Sequence, residues 1–133
     1  MTVDRLPGDD PREWLNRARS NLTQSRQEHP SIYLEDLCFQ AQQAAEKALK
    51  ALLLFHGESF PYTHDIAHLL SLVERNVEVV PDELQDAAIL TRYAVATRYP
   101  GVIEPVTRDE YVEAIELAEL LVNWVGDLIR RDE

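Results

Sequence analysis

The chain has 133 residues, the length of one ordinary domain and enough to bury a core without disulfides or metal. Hydrophobic residues make up 45% of it, which argues against disorder over most of its length. A formal charge of −11, from 24 acidic against 13 basic side chains, argues against broad electrostatic binding to nucleic acid or an anionic membrane and leaves room for a local basic site. The opening MTVDRLPGDDP has no apolar h-region, and no apolar run is long enough for a membrane span, so neither a secretion signal nor a transmembrane helix is expected. Residues 1–9 read as a flexible lead closed by Pro7 and Gly8. A first helix begins at Asp10, Pro11 and Glu13, an N-cap, a proline at N1 and an acid at N3 close to a capping box. Trp14, Leu15, Ala18 and Leu22 give it an apolar edge to about Arg26, and His29 and Pro30 break it.

The stretch from Glu35 to Gly57 is the longest and most regular helix of the sequence. Leu37, Ala41, Ala44, Ala45, Ala48, Leu49, Leu52 and Leu53 recur at steps of three and four, no Gly or Pro interrupts, and Gly57 stands where a left-handed cap ends the run. Cys38 falls inside it as a small core hydrophobe. A single cysteine forms no internal disulfide, which fits a reducing, cytoplasmic setting. Gln40, Gln43, Lys47 and Lys50 follow one another along a further strip beside the apolar stripe, and these two lysines are the only ones in the protein. Taken alone, the strip reads as a solvated face, with Glu46 supporting Lys50 at i, i+4.

After the turn GESFPYTHD, in which Thr63 offers a cap, a short third helix carries Ile66, Leu69, Leu70 and Val73 and stops near Asn76. Pro81, Asp82 and Glu83 open a fourth, with Leu84, Ala87, Ala88, Leu90, Thr91 and Ala94 on its buried side and Pro100-Gly101 at its end. Thr107 with Glu110 forms a capping box for a fifth, apolar at Val112, Ile115, Ala118, Leu121, Val122, Val125 and Leu128, with Asp109, Glu113, Glu116 and Glu119 on its outer side. No segment alternates with period two long enough to be a strand, and no repeat or linker divides the chain. The expected fold is all-α: one domain over residues 1–133, core at about 10–130, an up-and-down antiparallel bundle of four main helices plus one short helix. Tyr33, Phe39, Leu54, Phe55 and Tyr93 lie beside the main stripes, and their excess over one core predicts an apolar patch that a two-fold homodimer buries.

The run FQAQQAAEKALKALLLFHGESFPYTHDI, the pair LTRYAVATRYP and the acidic, Leu- and Val-rich closing helix together resemble the HEPN domain, the higher eukaryotes and prokaryotes nucleotide-binding family, over about residues 10–130. The resemblance rests on Gln43 to Lys50, Thr63 to Asp65 and Arg98 to Pro100, which come in the family's order. It implies a helical bundle that often forms homodimers. It also implies, for prokaryotic members, a separate minimal nucleotidyltransferase as partner, in toxin-antitoxin-like or two-component systems. Many members are instead RNases whose motif is Arg, four to six residues, then His. Arg98 matches the arginine, but Ile103, Glu104 and Pro105 stand where the histidine belongs, and none of the four histidines follows any arginine at that spacing. Without that imidazole the proton transfer in metal-independent RNA cleavage lacks its expected carrier.

What remains is anion recognition. Arg98 can grip a phosphate with its planar fork, Lys47 and Lys50 supply point charges, and Tyr99 can stack on a base. The competing reading has Arg98 bonding carboxylates or its own helix end and Tyr99 as a core aromatic with a wet tip. His64 joins the candidate set at the head of the third helix; its ordinary role is a bond to backbone or a neighbouring acid. His64 and His68 share a helix face, but no third ligand, Cys pair or HExxH accompanies them, so neither a metal nor a cofactor is expected. The expected function is a non-catalytic nucleotide- or partner-binding module; the alternatives are an RNase with a substituted group such as His64 and a purely structural helical dimer.

Overall fold

The computed structural model describes residues 4–94 and 105–133. The bundle is all helical, and no strand occurs among the described residues. Helix α1 spans Pro11–Ser25. Asp10 caps it by accepting the Arg12 N–H at 2.9 Å. The capping box expected from Glu13 does not close. That carboxylate accepts the Leu6 N–H at 3.0 Å and the Arg17 Nε–H at 2.8 Å instead, so it fastens the lead segment to α1.

Helix α2, Leu34–Phe55, is the centre of the molecule and touches every other long element. Its contact with α1 is the most extensive, because Ala41, Ala44, Ala45 and Ala48 hold little volume between the two backbones. Gly57 ends the run at φ 75°, the left-handed conformation expected of it. Beyond the apolar stripe α2 also buries Gln42, Glu46 and Lys50, so its C-terminal half is enclosed nearly all round. The solvated strip expected to carry Lys50 is therefore corrected: Lys50 is only 5% exposed, at i+8 from Gln42 and i+4 from Glu46 on a face covered by the 56–65 loop.

Helix α3 spans Ile66–Asn76 and is capped by Asp65, which accepts from Ala67 and His68 N–H. Thr63, the expected cap, stands two residues before Asp65 and accepts its N–H at 3.0 Å. The fourth helix departs from expectation. Asp82–Gln85 forms one α turn, labelled α4, and Asp86–Tyr93 continues as a 3-10 helix. The reason is in the spacing: Leu84, Ala87, Leu90 and Tyr93, all buried, recur every three residues, which is the period of a 3-10 helix. The expected end at Pro100-Gly101 lies outside the described residues.

Helix α5, Arg108–Asp132, opens with the Thr107–Glu110 capping box as expected. Two bonds fix its start. Tyr111 Oη donates to the Ser25 carbonyl at the end of α1 at 2.7 Å, and Glu35 at the start of α2 accepts the Val106 N–H at 2.9 Å. At the other end His56, just past α2, meets Asp132 at 3.5 Å. Helix α1 thus runs antiparallel to both α2 and α5. Cys38 is fully buried as expected, and burial, with Glu35 nearby, pushes its thiol pKa up to about 12, leaving an inert core thiol. Of the residues expected to form an apolar patch, Tyr93 is in the core, Phe39, Leu54 and Phe55 are half-buried, and Tyr33 is exposed.

Candidate functional site

The buried polar residues of α2 converge on the loop that leads into α3. Glu46 sits at the middle: one carboxylate oxygen accepts from Lys50 Nζ at 3.0 Å, and the other accepts from Gln42 Nε2 at 3.0 Å and faces His64 Nδ1 at 2.8 Å. Gln42 also donates to the His64 backbone carbonyl at 3.2 Å, so loop and helix are sewn together twice. Burial alone would raise the Glu46 pKa. The hydrogen bonds from His64, Gln42 and Lys50, with the Lys50 charge, outweigh it and hold the carboxyl below its ordinary value.

This assigns the two lysines different work. Lys50 is an internal counterion, its ammonium also 5.3 Å from the Phe60 ring centroid and 6.0 Å from that of Tyr62. Lys47, one turn earlier, is half-buried and donates to a neutral partner, Asn21 Oδ1 on α1, at 2.8 Å. Asn21 is itself 8% exposed, and its amide donates to Gln40 at 2.6 Å. Burial lowers the Lys47 pKa, and the nearby charges of Arg17 and Lys50 lower it further against the opposite pull of Glu46. Arg17 is exposed on the same side of α1.

Aromatic rings frame these cations. Trp14 packs edge-on against Phe60 with centroids 5.4 Å apart, and Tyr62 packs edge-on against His64 at 5.8 Å. Tyr62 is 95% exposed, an aromatic side chain held in water beside a buried ion pair. The face formed by α1, α2 and the 56–65 loop therefore combines Lys47, and Arg17 held on Glu13, with an open tyrosine ring and a half-exposed imidazole.

Of the residues expected from sequence, the structure brings Lys47, Lys50 and His64 together. Arg98 and Tyr99 lie outside the described residues. Glu46 was legible only as helix support for Lys50; its burial and its bond to His64 depend on the loop folding back over α2. Asn21, Tyr62, Phe60 and Trp14 carried no sequence signal for this face, because their meeting depends on the α1–α2 packing. No group of three or more His, Cys, Asp or Glu able to hold a metal ion occurs among the described residues.

A family model described as the HEPN domain matches residues 11–128. Among solved structures, the crystal structure of TT1696 from Thermus thermophilus is similar, with 36% identity and a TM-score of 0.79, over 90% of this chain and 98% of that one. ST0689, described as an archaeal HEPN homologue, is also similar, with 30% identity and a TM-score of 0.72, over 96% of this chain and 99% of that one. No curated protein matches.

Proposed function

The chain belongs to the HEPN domain family, and from that premise we propose that it is a non-catalytic nucleotide-binding module that works with a separate nucleotidyltransferase. The observation that carries the binding half is the 95% exposed ring of Tyr62, set beside His64 on the face that holds Lys47 and Arg17. An open aromatic face next to cations stacks a base while the cations take its phosphate. On a protein of net charge −11 such a site works by local convergence, since the long-range field repels anions. Arg98 and Tyr99 are proposed as further contacts to the same ligand.

The partner half rests on the family resemblance and on the incomplete Arg-to-His motif, which leaves the expected RNase group absent. The working form is proposed to be a cytoplasmic homodimer, with exposed Ile32 and Tyr33 in its interface. Calorimetric titration of ATP, AMP and a short RNA tests the binding half. Wild type should give heat with at least one of them, and Tyr62→Ala should weaken binding by about 1 to 3 kcal/mol if a base stacks there. Affinity capture from the native cell that retains a nucleotidyltransferase supports the partner half; a protein that captures none and binds no nucleotide contradicts the whole reading.

One observation favours a second reading. His64 with the buried carboxylate of Glu46 has the base-and-orienter arrangement of general-base sites, so an RNase using His64 in place of the missing histidine is the alternative. RNA cleavage abolished by His64→Ala would decide for it.

A further inference from the structure

We infer that Asn21 is the positioning residue of this face: it aims the Lys47 ammonium without neutralising it, which makes Lys47 the contact for a phosphate group of the bound nucleotide or strand. The inference rests on the nucleotide-binding reading above. Most other cations among the described residues sit against acids, as Lys50 does on Glu46, Arg17 on Glu13, Arg26 on Glu119 and Arg108 on Glu28. Lys47 sits instead against an amide, in a chain that carries 24 acidic residues. An aspartate at position 21 would reach the same ammonium and cancel it.

The orientation of that amide is fixed. Asn21 Nδ2 donates to Gln40 Oε1 at 2.6 Å, so its oxygen is the atom left to face Lys47, at 2.8 Å. Asn21 and Gln40 thus form a neutral relay between α1 and α2 that holds one N–H of the ammonium and leaves its others to an incoming acceptor. Half-burial and the neighbouring Arg17 and Lys50, only partly offset by Glu46, make the charge costly in the free protein. A phosphate removes that cost on binding. An ammonium on a flexible stem suits a single phosphate oxygen better than a bidentate carboxylate.

The test titrates AMP, and separately an oligouridylate with hydroxyl ends, into wild type, Asn21→Asp and Lys47→Gln, with a melting curve for each and the Lys47 pKa followed by NMR. In wild type, ligand should raise the Lys47 pKa, a readout that needs no variant. Asn21→Asp should melt at or above wild type and raise the Lys47 pKa without ligand. It should also weaken binding about tenfold or more, the loss expected for one charge-assisted hydrogen bond, as should Lys47→Gln. Heat from AMP alone assigns a phosphomonoester, and heat from the oligonucleotide assigns the diester backbone. If wild type binds but Asn21→Asp binds as well, or if the Lys47 pKa ignores the ligand, the role given to Asn21 is wrong while the binding face stands. If wild type binds neither ligand, both fall together.

Discussion

Glu46 on α2 and His64 before α3, 18 residues apart in sequence, meet at 2.8 Å in a bond whose carboxylate is buried and whose imidazole reaches the surface. The pair ties the candidate face to the core. Its acid belongs to the ion pair with Lys50, and its histidine belongs to the rim beside Tyr62. Changes inside the core should therefore be felt as stability, and changes on the rim as binding.

The two lysines should separate on this criterion. Lys50→Ala strands Glu46 in the interior, and breaking a buried pair from one side costs about 3–5 kcal/mol. Lys47→Ala removes a half-buried hydrogen bond to Asn21 and should cost about 1 kcal/mol. Urea unfolding of both variants checks the order. Equal losses would place Lys50 in solvent, against the packing seen.

Acid stability should carry the signature of Glu46. Its folded pKa lies below the ordinary 4.5, so the unfolded chain takes up its proton first as pH falls. The stabilisation is complete above the ordinary carboxylate value and is lost as pH drops through the depressed folded one. Glu46→Gln should lower stability at neutral pH and flatten the decline below about pH 4.5. Melting temperatures from pH 3 to pH 7 would show it, and parallel curves for the two proteins would contradict it.

The glycines should answer oppositely to alanine. Gly57 has φ 75°, where a side chain is strained, so Gly57→Ala should destabilise by about 1 kcal/mol. Gly126 lies inside α5, and a Cβ there would meet Arg19 Nη2 at 2.8 Å, the mobile end of a long side chain. That end can swing away, so Gly126→Ala should gain up to about 1 kcal/mol of helix propensity. Thermal melts of both settle the signs; a large loss at position 126 would mean that Arg19 cannot move.

The helical bundle was legible because its long elements carry their own signals. Alanine and leucine at steps of three and four fix α2, and the Thr107–Glu110 box fixes the start of α5. The 3-10 segment was missed because Leu84, Ala87 and Leu90 also satisfy an α reading; the three-residue period becomes decisive only when Tyr93 is counted with them. At the candidate face, Lys47, Lys50 and His64 could be named from sequence. Their division into counterion, anion contact and rim could not, because it is set by Asn21 arriving from α1 and by the loop that lays Phe60 and Tyr62 over Lys50.

The most direct test of the central claim is an NMR titration of AMP into the intact protein, following Asn21 and Gln40 side-chain amides, the Lys47 side chain and the Tyr62 and His64 rings. The account predicts saturable shifts concentrated on these residues, weakened by added salt, with the core amides around Leu49 and Leu121 unmoved. Shifts confined to the cleft between the first turns of α1 and the end of α5, around Arg12, Arg19 and Arg130, or no shifts at millimolar AMP, would contradict it.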